Sequence, residues 1–347
     1  MKRWKQKITM VEAHAEGEVG RIVTDGIENL PDGTMLDLLN WCNNEGDALR
    51  HFLVYEPRGS AQMSTVLTVP PRHPDADIGF LVMQGDKTHA MSGSNTICLA
   101  TVLLETGRIE MIEPRTEFVL DTASGLVNIS AECQDGKCKN VTLQLADCYA
   151  DSLDQIVEID GHGQVTFDIA FGGIFYALVD VRQFGLSIIP DNARELCRIG
   201  SEIHRTVNRE MDIHHPDYPG LEGLSYVMFT DINDDGSFRG ATIMPPGRVD
   251  RSPCGTGNAA RLAVMVARGH AVKGERFLAK SIIDSEFSVR IVDIKNQANG
   301  YPKITPQITG RGWIHGIHQI GVDPDDPFPQ GFSITDCWGE ARDLLNS

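Results

Sequence analysis

Ser92-Gly-Ser-Asn-Thr-Ile-Cys-Leu-Ala-Thr-Val-Leu-Leu-Glu-Thr-Gly107 and Cys254-Gly-Thr-Gly-Asn-Ala-Ala-Arg-Leu-Ala-Val-Met-Val-Ala-Arg-Gly269 decide the fold when laid side by side. Each opens on a hydroxyl or thiol followed by Gly, runs apolar and stops at Gly, where a left-handed helix cap is expected. Helices over Thr96–Glu105 and Asn258–Arg268 have too little polar surface to face water, so each belongs inside a wrap of strands. A third, more amphipathic helix is expected over Ala193–Arg209.

Outward from these helices, short Val-, Ile-, Phe- and Thr-rich segments read as strands. They are Lys7–Val11, Arg50–Tyr55, Asp77–Met83, Glu117–Leu120, Val127–Ala131 and Asn140–Leu145, then Gln164–Ile169, Phe175–Val179, Ser225–Thr230, Gly240–Met244 and Phe287–Val292. Cys133 and Cys138 flank Gln-Asp-Gly-Lys, a hairpin turn. Many strands and few helices make the class α+β. The repeated helix motif divides it into two pseudo-symmetric lobes, each a sheet around a central helix whose N-terminus points at a shared cleft. The expected lobes are residues 1–150 and 151–321, the chain turning polar near Cys148–Leu153. A connector, Asp323–Gly331, leads to a last helix, and the segment from about 322 to 347 is a candidate to return to the first lobe.

Composition narrows the partners. The 347 residues are 41% hydrophobic and 23% charged, with 31 Lys plus Arg against 48 Asp plus Glu and a net charge of −17. Such a chain repels phosphate backbones and anionic lipid, so neither nucleic acid nor membrane is an expected partner. No apolar run is long enough to span a bilayer, and the basic start Met1–Lys7 leads into no signal-type apolar segment. Eight scattered cysteines form neither a disulfide framework nor zinc-type pairs, which fits a reducing, cytoplasmic setting.

Buried helix starts carry unpaired N–H groups and about half a positive charge, a seat for a small carboxylate or phosphate. Gly93, Gly255 and Gly257 let a ligand approach that backbone. The same field favours a thiolate, which singles out Cys254, while Cys98 on an apolar face reads as packing. Ser92 alone reads as an N-cap, and its correspondence with Cys254 makes it a candidate. Asp250 is either half of a solvated turn pair with Arg251 or the carboxylate that grips a substrate ammonium. His214-His215 is a weak metal candidate, and His14 with Glu18 is unsupported as a catalytic pair.

These residues resemble the proline racemase family, which includes hydroxyproline 2-epimerases and trans-3-hydroxy-L-proline dehydratases. Asp250-Arg-Ser-Pro-Cys-Gly-Thr-Gly257 is the most specific match, and Met91-Ser-Gly-Ser-Asn95 matches a Met-Cys-Gly-His block with two departures. Glu18 in Ala15-Glu-Gly-Glu, Glu56-Pro-Arg-Gly59, Asp121-Thr-Ala-Ser-Gly125, Phe171-Gly-Gly-Ile-Phe175 and Asp325–Phe332 extend it along the chain. The resemblance implies the diaminopimelate-epimerase-like fold, no cofactor, no metal, and a hydroxyproline substrate between the central helices; it leaves a homodimer open. It also implies acid/base residues at Ser92 and Cys254. The substrate carboxylate would lie on Gly93, Ser94, Gly255 and Thr256, and its ring nitrogen on Asp250. Serine is a far weaker acid than cysteine, which disfavours symmetric proton exchange. Elimination needs one strong base only. The expected activity is therefore that of a lyase, trans-3-hydroxy-L-proline dehydratase, forming Δ1-pyrroline-2-carboxylate. The alternative is hydroxyproline 2-epimerisation between Ser92 and Cys254. A non-catalytic amino-acid binding protein and a Cys254 thiol hydrolase stand further off.

Overall fold

The computed structural model describes residues 4, 7–60, 62–218, 220–245, 247–296 and 300–334, so the expected last helix lies outside the described residues. The first half holds β1 (Lys7–Ala15), β2 (Glu18–Asp25), α1 (Met35–Cys42), α2 (Asp47–Val54), β3 (Ser64–Val69), β4 (Ile78–Met83) and β5 (Thr88–His89). It continues through α3 (Gly93–Glu105), β6 (Arg115–Thr122), β7 (Gly125–Gln134) and β8 (Lys137–Gln144). The second half has β9 (Cys148–Ile159), β10 (Gly163–Phe171), β11 (Phe175–Asp180), α4 (Ala193–Glu210), β12 (Tyr226–Ile232), β13 (Phe238–Met244) and β14 (Arg248–Val249). Helix α5 (Gly255–Ala267), β15 (Arg276–Lys280), β16 (Glu286–Lys295), β17 (Lys303–Gly310) and β18 (Gly312–Gly321) complete it.

The strand pairing is duplicated. Antiparallel β1–β2, parallel β2–β3, antiparallel β3–β4 and β4–β5, parallel β4–β6 and antiparallel β6–β7–β8 recur step for step as β10–β11, β11–β12, β12–β13–β14, β13–β15 and β15–β16–β17. In each copy the central helix follows the short strand β5 or β14. The copies join where β8 pairs antiparallel with β17, and β18 returns to β1. The result is a mixed α+β fold of two lobes, each wrapped round one helix. Among the described residues no helix is long and apolar enough to cross a membrane.

Burial explains why the two central segments are helical. In α3 every residue but Glu105 is buried. Its β-branched Thr96, Ile97, Thr101 and Val102 each cost up to about 0.7 kcal/mol in helix propensity, against about 1.5–3 kcal/mol gained per buried aliphatic side chain. Tertiary burial wins. Both helices end alike: Gly107 and Gly269 are left-handed, at φ +71° and +73°. The next amides, of Arg108 and His270, donate to Leu103 and Met265, closing matched Schellman caps.

One expected strand is a helix. Arg50–Tyr55 falls largely within α2, where Arg50 reaches back one turn to Asp47 at 2.6 and 2.9 Å and across to the Gln84 carbonyl at 3.0 Å. A short apolar run carries no decisive period, and the i, i+3 pair was the better guide. The pattern Thr34-x-x-Asp37, missed in the sequence, forms a reciprocal capping box that starts α1. The Cys133/Cys138 hairpin turns through Asp135 and Gly136, both with positive φ, a two-residue turn matched to strand twist.

Candidate active site

Helices α3 and α5 meet start to start. A Cβ on Gly93 would lie 2.8 Å from the Gly255 Cα, so only glycine permits this approach. Beside the contact is a small, largely closed cavity. It is lined by Ser92, Gly93, Ser94, Asp250, Cys254, Gly255 and Thr256, all the residues expected there, together with Glu18, Gln84, Asn95, Tyr176, Tyr226 and Met244.

The equivalent helix starts differ in detail. Ser92 is extended, at φ −152° and ψ 127°, and its Oγ accepts from Asn95 Nδ2 at 3.0 Å. Cys254 has φ +66° and ψ 101°, a conformation that costs a non-glycine residue roughly 1–3 kcal/mol. It is held by its amide donating to Ser252 Oγ at 3.1 Å and by Asn258 Nδ2 donating to its carbonyl at 3.0 Å. The Tyr176 hydroxyl stands 3.4 Å from Cys254 Sγ and 2.7 Å from Thr256 Oγ1.

The expected depressed thiol is not found. Burial, and then the charge of Asp250, push the Cys254 thiol up to about 12. The resting sulfur is protonated.

Two carboxylates face one guanidinium beside the cavity. Glu18 and Arg248, both buried, form an ion pair at 2.6 Å, and the second Glu18 oxygen accepts from the Arg251 amide at 2.9 Å. Asp250 accepts from the Ser252 amide at 2.8 Å. Burial and the neighbouring Glu18 raise it to about 8, with Arg248 pulling the other way. This excess of acidic groups gives the cavity a wall suited to a cationic ligand. Because folded Asp250 binds its proton more tightly than the unfolded chain does, its contribution to stability is complete below the ordinary aspartate range and is lost as pH rises through about 8. Thermal melts at about pH 5 and pH 8 are expected to show a smaller loss of Tm in Asp250→Asn than in the wild type. Equal losses would exclude this role for Asp250.

Other candidates lie elsewhere. His14 accepts from the Gly17 amide through Nδ1 and stacks on Trp313, so the structure parts it from Glu18. His215 Nδ1 accepts from the amides of Asp217 and Tyr218, while His214 lies near Asp212. Arg248, Gln84, Tyr176 and Tyr226 escaped sequence reading because they sit singly in strands or loops. The available signal for Arg248 was its place two residues before Asp250, in Gly247-Arg-Val-Asp250.

Residues 10–333 match the family model described as Proline racemase. The chain belongs to the proline racemase family. It is 48% identical over 339 residues to 4-hydroxyproline 2-epimerase of Agrobacterium fabrum, covering 97% of this chain and 98% of that one. It is 46% identical over 345 residues to the enzyme of the same name from Allorhizobium ampelinum, covering 99% of each. A solved hydroxyproline epimerase from Agrobacterium vitis with bound trans-4-hydroxy-L-proline superposes with a TM-score of 0.94 at 46% identity, over 98% of this chain and 99% of that chain. A predicted epimerase from Pseudomonas aeruginosa, 13% identical with a TM-score of 0.54 over 90% of this chain and 99% of that one, shares the fold.

These full-length relatives overturn the expected dehydratase and lyase assignment: they are named as epimerases, which are isomerases and match the alternative reading. Ser92 and Cys254 stand at equivalent helix starts on one cavity, a two-sided arrangement that serves proton exchange and not elimination alone.

Proposed function

We propose that this protein is a 4-hydroxyproline 2-epimerase. The observation that carries the reading is the convergence of two helix starts, bearing Ser92 and Cys254, on one small cavity walled by buried carboxylates. The names of the close relatives and the trans-4-hydroxy-L-proline bound by one of them support it. In this reading the substrate carboxylate lies against the N–H groups of Gly93, Ser94, Gly255 and Thr256, where two helix dipoles oppose the charge that grows on it as the α-proton leaves. Asp250 holds the ring ammonium, backed by Glu18 and Arg248. One of Ser92 and Cys254 removes the α-proton, the electron pair passes into the carboxylate-stabilised carbanion, and the other returns a proton to the opposite face. Substrate binding prepares the exchange, since a pyrrolidinium beside Asp250 offsets the carboxylate charge that raises the thiol.

The lobe division near residue 150 belongs to the same proposal. It is supported by the duplicated strand order, and by Arg58 reaching Asp326 and the Phe328 and Pro329 carbonyls, which ties the closing segment to the first half. A cytoplasmic setting is supported by the free cysteines among the described residues.

Proton NMR of trans-4-hydroxy-L-proline incubated with the protein in D2O tests the function. The expected product is cis-4-hydroxy-D-proline deuterated at Cα with its ring hydroxyl retained. No α-exchange from that substrate would reject the proposal.

A further inference from the structure

The mechanism leaves one buried group unused. Tyr176, on β11, is fully buried, and its hydroxyl lies between Cys254 Sγ at 3.4 Å and Thr256 Oγ1 at 2.7 Å. The neighbouring Tyr226 cannot substitute, because its hydroxyl donates to Gln84 Oε1 at 2.7 Å. Sulfur, phenol and threonine hydroxyl thus form a row of three groups, each able to donate or accept. The row has two complete arrangements. With the thiol protonated, S–H donates to the phenol oxygen and the phenol O–H donates to Thr256 Oγ1. With the thiolate, both hydroxyls turn: Thr256 O–H donates to the phenol oxygen and the phenol O–H donates to sulfur.

We infer that Tyr176 is a positioning residue that holds the Cys254 sulfur in both of its protonation states by reversing its hydrogen bonds. No proton changes owner at Tyr176 or Thr256; the only one that moves is the sulfur's own, exchanged with the substrate α-carbon. A group that must serve as base in one direction and acid in the other needs a neighbour satisfied in both states, and a fixed donor such as a backbone amide provides for one only. The backbone around Cys254 fixes the Cα–Cβ direction, and the sulfur points among the Tyr176 hydroxyl, the Thr242 hydroxyl and the Gly257 amide, with the Asp250 carboxyl facing it. The inference rests on the epimerase reading for its purpose, and on geometry alone for the contact.

The test is the rate of Cys254 alkylation by iodoacetamide at about pH 8, read by mass spectrometry of the Cys254 peptide in the intact protein. In Tyr176→Phe the thiolate loses its phenol donor. Alkylation is expected to slow about tenfold, the effect of one pH unit in thiol acidity, and kcat for 2-epimerisation falls with KM little changed. Replacement of Tyr176 by 3-fluorotyrosine, a stronger donor of nearly the same shape, is expected to speed alkylation. An unchanged rate in Tyr176→Phe, or slower alkylation with fluorotyrosine, overturns the inference. Failure of the epimerase reading shows separately, as wild-type protein that exchanges no α-proton whatever the alkylation rates.

Discussion

Replacing Cys254 by alanine is expected to lower α-proton exchange from trans-4-hydroxy-L-proline by at least about a thousandfold, within the range a positioned acid/base group supplies. The protein should still fold. Cys254 is packed, but its removal leaves only a small void against Tyr176 and Gly257, whose added Cβ would lie 3.0 Å from the sulfur. Alanine also tolerates the strained backbone no worse than cysteine, since both carry a Cβ. Ligand binding should survive because the carboxylate contacts come from backbone amides and the ammonium contact from Asp250. The checks are wash-in of solvent deuterium at Cα and isothermal titration of the substrate. Exchange within tenfold of the wild type would remove Cys254 from the mechanism; loss of binding with a normal melting curve would make it a binding residue instead.

Arg248→Met is expected to destabilise the fold by about 3–5 kcal/mol, the cost of breaking a buried ion pair from one side. The guanidinium is the shared counterion of Glu18, at 2.6 Å, and of Asp250, and it also donates to Ser64 Oγ at 3.3 Å. Methionine fills much of the same volume, so the loss is electrostatic rather than a cavity effect. Without the cation a buried acidic pair is left with no counterion, and proton uptake relieves the strain. The deficit, measured by urea unfolding, should therefore shrink as pH falls below the carboxylate range. A pH-independent deficit would mean that Arg248 acts through packing. The double variant Glu18→Gln with Arg248→Met should recover part of the loss, because it removes a stranded charge along with its partner.

Local patterns carried much of this structure. The sixteen-residue helix motifs showed their own boundaries through composition and terminal glycines, and both Schellman caps form where those glycines stand. Ser92, Asp250 and Cys254 were legible because each sits at or just before a helix start, and helix starts have a chemistry that local sequence exposes. Gln84, Tyr176 and Arg248 were not. Each occupies a strand or loop position whose neighbours in sequence say nothing of its neighbours in space, and the cavity joins segments as distant as Glu18 and Arg248. The acidity of Cys254 was misjudged for a related reason: a helix start argues for a thiolate, while burial and a facing carboxylate, both tertiary, argue more strongly against it.

The seam between β8 and β17 has a consequence for how such a chain can be cut. Val141–Gln144 and Gln307–Gly310 are equivalent edges of the two copies, and each is capped by the other. Severed at the midpoint, either fragment would present an open row of backbone donors and acceptors flanked by Val141 and Leu143 or by Ile308, a template for stacking onto its own kind. Joined, each edge protects its counterpart from aggregation. A covalent link keeps each edge beside the counterpart that covers it.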